Sequence, residues 1–238
     1  MLPNIRKLFI PDDGYTLFDI DLSSADLRIV TWEADCRLMK QWFADELDPY
    51  TMIAREYFHE PTMTKHDARR QQFKSLAHAT NYLGRAAGIA GNSNIRLNVM
   101  EVGRIQHWYF KLFPEIKQWQ EQLVHQIKTT MEISNAFGYK FKFLDRLTDH
   151  TFNEGVAWIP QSTVGIVINH AMHNIFHNLP AVQLLLQVHD SLVGQYPTSM
   201  PELHDRIIEE SQIVIPYNDP LIIPVGIKQS AKSWGDCQ

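Results

Sequence analysis

The hydrophobic positions of this chain change their period along its length, from strand-like runs near the two ends to a helical repeat in the middle. Residues 15–22, YTLFDIDL, are rich in β-branched and aromatic residues and follow a glycine turn, which predicts a strand. Residues 183–188 and 192–196, QLLLQV and LVGQY, are short apolar runs around a polar turn and predict two more strands. A last strand is predicted over 221–227, at a sheet edge because it contains a proline.

Between these strands the apolar positions recur every three or four residues, the period of an amphipathic helix. The stretch 98–132 shows this repeat and is interrupted at Pro114, which predicts two helices. Residues 133–144 contain a glycine turn and predict a hairpin. Further helices are predicted over 24–46, 64–83, 161–178 and 201–213. Strands at both ends and a helical block between them indicate an α+β fold.

Composition narrows the class of protein. The chain has 238 residues, of which 45% are hydrophobic and 21% charged, values that exclude a disordered, collagen-like or coiled-coil protein. It carries 27 acidic residues against 22 lysines and arginines, a net charge of −5. Because a stand-alone nucleic-acid-binding protein is usually basic, any such function must rest on a local patch.

The cysteine content and the hydropathy of the chain indicate the cellular compartment in which we expect the protein. Cys36 and Cys237 are too few for a disulfide framework or a cysteine-based zinc site. The sequence has no apolar run long enough to span a bilayer and no signal-peptide pattern at its start. We therefore expect a reducing, intracellular location and no membrane partner.

Two aspartates stand where predicted strands end. Asp21 follows the first strand, and Asp190 lies at the tip of the turn between the next two. Each has an ordinary alternative role, since Asp21 can cap the helix that begins near Ser24 and Asp190 can stabilise its own turn. Two carboxylates from separate strands also suit Mg²⁺, which prefers oxygen ligands and is often completed by substrate phosphates.

A helix predicted over 64–83 carries Arg70, Lys74, His78 and Tyr82 at a constant spacing of four. Four such positions span about 120° of one helix face. Cations one turn apart can hold a polyphosphate, and an aromatic side chain beyond them can stack on a base. The alternative interpretation is a solvated basic face.

Three histidines, His170, His173 and His177, share one predicted helix at spacings of three and four. Such spacing can gather imidazoles around a transition metal. Because no further ligand accompanies them elsewhere in the sequence, we interpret them as ordinary surface or interface histidines.

Taken together, these segments resemble the three motifs of family A DNA polymerases. Residues 21–28, DLSSADLR, are similar to motif A, usually DYSQIELR. The series from Arg70 to Tyr82 resembles motif B, and residues 187–192, QVHDSL, resemble motif C, usually QVHDEL. The motifs occur in the family's order, and the resemblance runs from about residue 4 to 235.

The resemblance implies a right-hand polymerase fold: an antiparallel-sheet palm with a helical fingers subdomain. We predict the palm over 1–46 and 147–238 and the fingers over 47–146. The thumb and exonuclease of the family have no counterpart in these residues, so we expect a fragment or one subunit of a split polymerase. Its partners would be primed DNA, dNTPs and a thumb or exonuclease segment or a separate polymerase chain, in the cytoplasm of a bacterial or phage-infected cell or in an organelle.

The resemblance also implies roles for individual residues. Asp21, Asp190 and the Leu22 carbonyl would hold two Mg²⁺ ions during transfer of a nucleotide from a dNTP to a primer 3′-hydroxyl. Lys74 would bind the triphosphate and protonate the leaving pyrophosphate. The other nucleotide-binding residues would be Arg70, His78, Tyr82 and Asp26, and the DNA-binding residues Arg28, Gln161 and His189.

Several positions depart from the family pattern. His78 replaces Phe or Tyr, Leu83 replaces the Gly after the motif B tyrosine, Asp26 replaces Glu, and Ser191 replaces the usual Glu. These departures leave both metal-binding aspartates in place and bear on sugar selectivity and closure of the fingers. Two other functions are considered: a non-catalytic, polymerase-like subunit that binds DNA or a partner, and a metal-dependent nuclease.

Overall fold

The computed structural model describes residues 4–92 and 95–237. The chain divides into two compact units. A split unit comprises the residues up to Asp26 and those from Gln161 onward, and a central unit comprises Leu27–Pro160. These bounds differ from those predicted for palm and fingers, at 46/47 and 146/147. The assignment of palm and fingers stays a prediction.

The helices and strands follow in chain order. The helices are α1 (Ala25–Glu33), α2 (Arg37–Ala44), α3 (Pro49–Phe58), α4 (Ala68–Asn81), α5 (Ala86–Ala90), α6 (Val99–Leu112), α7 (Pro114–Thr130), α8 (Asp149–Asn178) and α9 (Leu203–Glu210). The strands are β1 (Tyr15–Leu22), β2 (Glu132–Ser134), β3 (Lys140–Lys142), β4 (Gln183–Val188), β5 (Ser191–Pro197), β6 (Val214–Ile215), β7 (Leu221–Ile222) and β8 (Val225–Ser230). The combination of helices with an antiparallel sheet confirms the predicted α+β class.

The split unit is built on a four-stranded antiparallel sheet with the order β4-β5-β1-β8. Strand β1 is central and has the bounds predicted from sequence. Its apolar side chains Leu17, Phe18, Ile20 and Leu22 are almost fully buried. This burial fixes the register of β1 and therefore the position of the polar residues at its end.

The central unit is helical, with one small hairpin formed by β2 and β3 as predicted. Side-chain hydrogen bonds hold the C-terminal end of α4 against α6 and α7. The buried Gln120 amide donates to the carbonyls of Thr80 and Asn81, both at 2.9 Å, and the Tyr109 hydroxyl donates to Asn81 Oδ1 at 2.9 Å. Burial raises the pKa of Tyr109, so this donor stays protonated.

Several predicted helix boundaries were wrong. The helix predicted over 24–46 breaks into α1 and α2 around Asp35, which has a φ of 48°. The helix predicted to start at Thr64 starts at Ala68, because the Asp67 carboxylate caps it by accepting the Arg69 N–H. Helix α8 begins at residue 149 instead of 161 and contains Pro160.

The last predicted strand, 221–227, is two strands. Pro224 lies between β7 and β8, where the missing N–H of proline ends the ladder. As predicted, β8 forms an edge of the main sheet. Within the described part of the chain, no helix is long and apolar enough to cross a membrane.

Candidate active site

Asp21 and Asp190 lie on neighbouring segments at one end of the main sheet. The β1–β5 register pairs Asp21 with Ser191, the residue that follows Asp190. The Leu22 N–H also approaches the Asp190 carbonyl oxygen at 3.4 Å. Asp21 is exposed and Asp190 half-buried. The structure therefore brings together the two aspartates that sequence reasoning singled out.

The hairpin between β4 and β5 holds Asp190 in place. Its turn is tight because His189 adopts a left-handed conformation, with a φ of 55°. The Ser191 hydroxyl donates to the Val188 carbonyl at 2.9 Å and closes the turn. Since β5 is buried along most of its length, the packing of the sheet fixes this turn.

A cavity of about 420 Å³ opens beside the two aspartates within the split unit. Asp19 also lines it and was not assigned a role from sequence. Asp19 Oδ2 accepts a hydrogen bond from Trp234 Nε1 at 2.7 Å. Its Oδ1 is buried and has no hydrogen-bond partner within residues 4–92 and 95–237. The charged side chains lining this cavity are Arg6, Asp19, Asp21, Asp190 and Lys228.

These residues fit a divalent cation of the magnesium type. The carboxylates supply oxygen ligands. Asp19 lines the same cavity, and its Oδ1 is a buried acceptor with no partner among the described residues. Among the described residues, no three acidic, histidine or cysteine side chains converge as a metal cage, and this includes His170, His173 and His177. Mg²⁺ is commonly held by one or two carboxylates and completed by substrate phosphates, so a pair suffices.

A second cavity of the split unit, about 440 Å³ in volume, also reaches Asp190. Asp26, Gln161 and His189 line it. Three residues that were predicted to contact the nucleotide or the DNA thus share one cavity with a predicted metal ligand. The exposed Gln161 amide and His189 ring leave polar groups available at its surface.

In the central unit, α4 presents the predicted basic and aromatic series on its solvent side. Lys74 and His78 are exposed, whereas Arg70 and Tyr82 are partly buried. The His78 and Tyr82 rings lie 4.6 Å apart in an edge-on arrangement. The opposite side of the helix packs into the core through Phe73, Leu76 and Ala77.

Two residues that the sequence did not flag lie against the basic end of this series. The Asp48 carboxylate accepts two hydrogen bonds from the Arg70 guanidinium, both at 2.6 Å. The buried Tyr50 ring lies 5.7 Å from both the Arg70 guanidinium carbon and the Lys74 ammonium nitrogen. In the sequence Asp48 stands only in an Asp-Pro pair that breaks the pattern, and nothing local indicated a partner 22 residues further on.

Arg28 belongs to the central unit, whereas Gln161 and His189, the other two residues predicted to bind DNA, belong to the split unit. Its guanidinium lies over the Phe43 ring at 4.0 Å. Burial lowers the pKa of Arg28. The packing against Phe43 gives this residue a structural role in its own unit, and its contact with DNA stays a prediction.

Comparison with known proteins yields a family match over nearly the whole chain. The model of DNA polymerase family A matches residues 2–236. The DNA polymerase of Mycobacterium phage D29 is 24% identical over 97% of this chain and 37% of its own length. DNA polymerase I of Bacillus subtilis strain 168 is 24% identical over 98% of the chain and 27% of its length. The chain thus spans about a quarter to two fifths of these curated relatives.

A solved structure shows the same fold. It is the POL domain of Pol1 from M. smegmatis, in complex with DNA primer-template and dNTP, and it superposes with a TM-score of 0.85 at 20% identity. The match covers 98% of this chain and 42% of that one.

Proposed function

Since the chain belongs to DNA polymerase family A, we propose that it carries out template-directed DNA synthesis. The primer 3′-oxygen would form a bond to the α-phosphorus of a dNTP, and the bond from that phosphorus to the bridging oxygen would break to release pyrophosphate. The proposal rests on one observation above all: Asp21 and Asp190 lie beside each other at the end of an antiparallel sheet and share a cavity.

We propose that Asp21, Asp190 and the Leu22 carbonyl hold two Mg²⁺ ions. When bound there, the ions would supply the charge neutralisation and the activation of the primer hydroxyl that phosphoryl transfer requires. The role of the protein is to fix the two carboxylates before substrate arrives. The closed turn at Ser191 and the buried β1 strand support that role.

Arg70 and Lys74 would bind the triphosphate. They lie one turn apart on the same side of α4 and both lie over Tyr50, which favours a shared anionic ligand. Lys74 is exposed and can also donate a proton to the leaving pyrophosphate. His78 and Tyr82 would lie beyond them, near the base of the incoming nucleotide, and Asp26 would face its sugar.

Three side chains would contact the DNA. Gln161 would donate to the minor groove at the primer end, His189 would contact the primer terminus, and Arg28 would support the primer. Because the net charge is −5, we propose that a thumb or exonuclease segment, or a separate chain, supplies much of the backbone contact. The greater length of the relatives supports this view. Their bacterial and phage sources favour the bacterial cytoplasm as the location.

Primer extension tests the proposed reaction. The chain would be assayed with labelled primer-template, dNTPs and Mg²⁺, alone and together with a candidate thumb-containing segment or partner chain. We expect extension by the wild type and extension at background level for Asp190→Asn. Asp13→Asn, which changes an exposed aspartate before β1, is the matched control and should retain activity.

Three outcomes would contradict the proposal. Extension by a folded Asp190→Asn variant at the wild-type rate would remove Asp190 from the reaction. Tight binding of primed DNA without extension under every condition would favour the non-catalytic subunit. Degradation of the primer without dNTP incorporation would favour the nuclease.

A further inference from the structure

The Arg70 guanidinium is held in one orientation by Asp48. Arg70 Nε donates to Asp48 Oδ2 and Arg70 Nη2 donates to Asp48 Oδ1, both at 2.6 Å. The side chains of Arg70 and Asp48 are 19% and 29% exposed. Bidentate pairs of this kind fix the plane of the guanidinium as well as its position. Arg70 therefore points in a direction set by α3 instead of sampling solvent.

The geometry of the pair leaves a second edge of Arg70 available for another ligand. A guanidinium has five N–H donors in a planar fork. Asp48 takes the edge formed by Nε and Nη2, so the end formed by Nη1 and Nη2 keeps two N–H groups that point in parallel. Such an edge matches two oxygens of a phosphate group. The ion pair and an anion can thus be held by Arg70 at the same time.

Asp48 is itself fixed, because it begins a helix. Its carboxylate accepts the Thr51 N–H at 2.9 Å and the Thr51 hydroxyl, and Pro49 occupies the first turn of α3. Burial raises the pKa of Asp48, but hydrogen bonds from Arg70 and Thr51 outweigh this effect, and the pKa is lowered overall. The carboxylate is therefore charged at neutral pH.

The neighbouring Arg69 shows that pairing alone does not mark a site. Arg69 forms a bidentate pair with Glu60 at 2.8 Å and also contacts Asp67, but it lies near Phe58 on another side of α4. Arg70 differs because it lies over Tyr50 together with Lys74. Of these two ion pairs, the Asp48–Arg70 pair is the one that lies beside Lys74 and the Tyr50 ring.

We propose that Asp48 is a positioning residue for nucleotide binding, which holds the Nη1–Nη2 edge of Arg70 toward the triphosphate. This inference rests on the proposed function, in which Arg70 binds the triphosphate. Asp48 does not contact the nucleotide; it acts through Arg70. Its removal should therefore weaken use of the nucleotide and leave the affinity for DNA unchanged.

The test compares Asp48→Asn with wild type. Asn is as good an N-cap as Asp, so α3 is preserved, while the amide offers one acceptor instead of a charged pair of oxygens. We expect the KM for dNTP to rise about tenfold. This is less than the roughly hundredfold loss of activity that displacement of a positioning group by an ångström can cause. The dissociation constant for primed DNA and the melting temperature should stay near wild-type values. Titration of a fluorescent dNTP gives the same comparison without turnover.

Three further variants make the result specific. Glu60→Gln breaks the matched pair on Arg69 and should leave the KM for dNTP unchanged. Asp48→Ser keeps an N-cap but removes the carboxylate, and it replaces Asp48→Asn if that variant folds poorly. Arg70→Ala reports the contribution of the guanidinium itself.

The outcomes separate this inference from the proposed function. If Arg70→Ala weakens dNTP binding but Asp48→Asn and Asp48→Ser do not, Asp48 is structural and the positioning role is overturned while the function stands. If Arg70→Ala has no effect on dNTP binding, the assignment of α4 to the triphosphate is wrong. Tighter dNTP binding by Asp48→Asn would show that Asp48 competes with the phosphate, which also overturns the inference.

Discussion

Asp26 differs from the family pattern by one methylene group, and this difference bears on the choice of sugar. The resemblance to motif A implies that the glutamate of the family pattern closes over the sugar of the incoming nucleotide and excludes a 2′-hydroxyl. The aspartate carboxylate should sit back by about 1.5 Å, one C–C bond length. In this structure Asp26 lines a cavity of about 440 Å³.

We therefore expect weaker exclusion of ribonucleotides than in relatives that have the glutamate. A pocket that differs by one methylene discriminates by about 1–3 kcal/mol, so Asp26→Glu should improve discrimination by roughly tenfold or more. The measurement is the ratio of kcat/KM for a dNTP to that for the matching rNTP. Equal ratios for both forms would show that another residue, such as His78, excludes the ribose.

Substitution of Lys74 distinguishes a role in nucleotide binding from a role in DNA binding. Because its ammonium group is exposed beside Arg70 and would contact only the triphosphate, Lys74→Ala should raise the KM for dNTP and lower kcat. Its affinity for primed DNA should not change. Lys111→Ala removes an exposed lysine from another helix of the same unit and serves as the control. A loss of DNA affinity with normal nucleotide kinetics would assign α4 to duplex contact instead.

Residues that belong to a sequence motif were predictable, whereas the residues that hydrogen-bond to functional side chains from other elements were not. Asp21, Asp190 and the α4 series are visible because their spacing within one strand, turn or helix is part of the sequence. Asp48 is hydrogen-bonded to Arg70, which lies 22 residues further along the sequence, and Asp19 is hydrogen-bonded to Trp234, which lies 215 residues further along. Contacts between residues this far apart in the sequence depend on how the helices and strands pack. That packing cannot be deduced from a single sequence.

At the scale of elements, the close packing of β5 against β1 allows us to predict how a substitution at this contact changes the stability of the protein. Gly194 pairs with Phe18 across the two strands, and a Cβ at position 194 would lie 2.5 Å from the Phe18 ring and 2.7 Å from the Gln183 carbonyl oxygen. Overpacking of this kind costs about 1–3 kcal/mol. Gly194→Ala should therefore lower the free energy of unfolding by about that amount in a urea titration.

Gly226→Ala is the matched control for this prediction. It lies in β8, on the other side of β1, and the nearest atom to its added Cβ is the Asp21 carbonyl oxygen at 3.8 Å, an ordinary contact. We expect little change in its stability. Equal unfolding free energies for the two variants would mean that the sheet adjusts around Gly194 without strain.

Strands were predicted more accurately than helix ends, and α8 shows why. The predicted helix began only at residue 161, whereas α8 begins at Asp149 and contains both Gly155 and Pro160. In the structure Gly155 lies close to neighbouring side chains, since a Cβ there would lie 2.6 Å from Ile127 Cδ1 and 3.0 Å from the Phe143 ring. A residue that weakens a helix locally is kept because a neighbouring element lies close, and this contact overrides the local preference.

At the scale of the whole molecule, family and fold were predictable because three motifs occur in a fixed order over nearly the full length. The family match over residues 2–236 and the shared fold confirm that prediction. The bounds of the two compact units were not predictable, since they fall inside the continuous helices α1 and α8. No change in composition or hydropathy marks a division within a helix.

The net charge leads to a prediction about DNA binding by the chain alone. The logarithm of a DNA association constant falls linearly with the logarithm of salt concentration, with a slope of about −0.9 for each phosphate neutralised. With 27 acidic residues against 22 basic ones, and with Arg69 paired to both Glu60 and Asp67, few cations are available for DNA phosphates. We expect weak binding of primed DNA and a slope corresponding to about three phosphates or fewer.

Anisotropy titrations from about 50 to 200 mM salt measure both quantities, with full-length DNA polymerase I of Bacillus subtilis as the comparison. A slope as steep as that of the longer relative, with tight binding at the highest salt, would show that this chain needs no other segment to hold DNA.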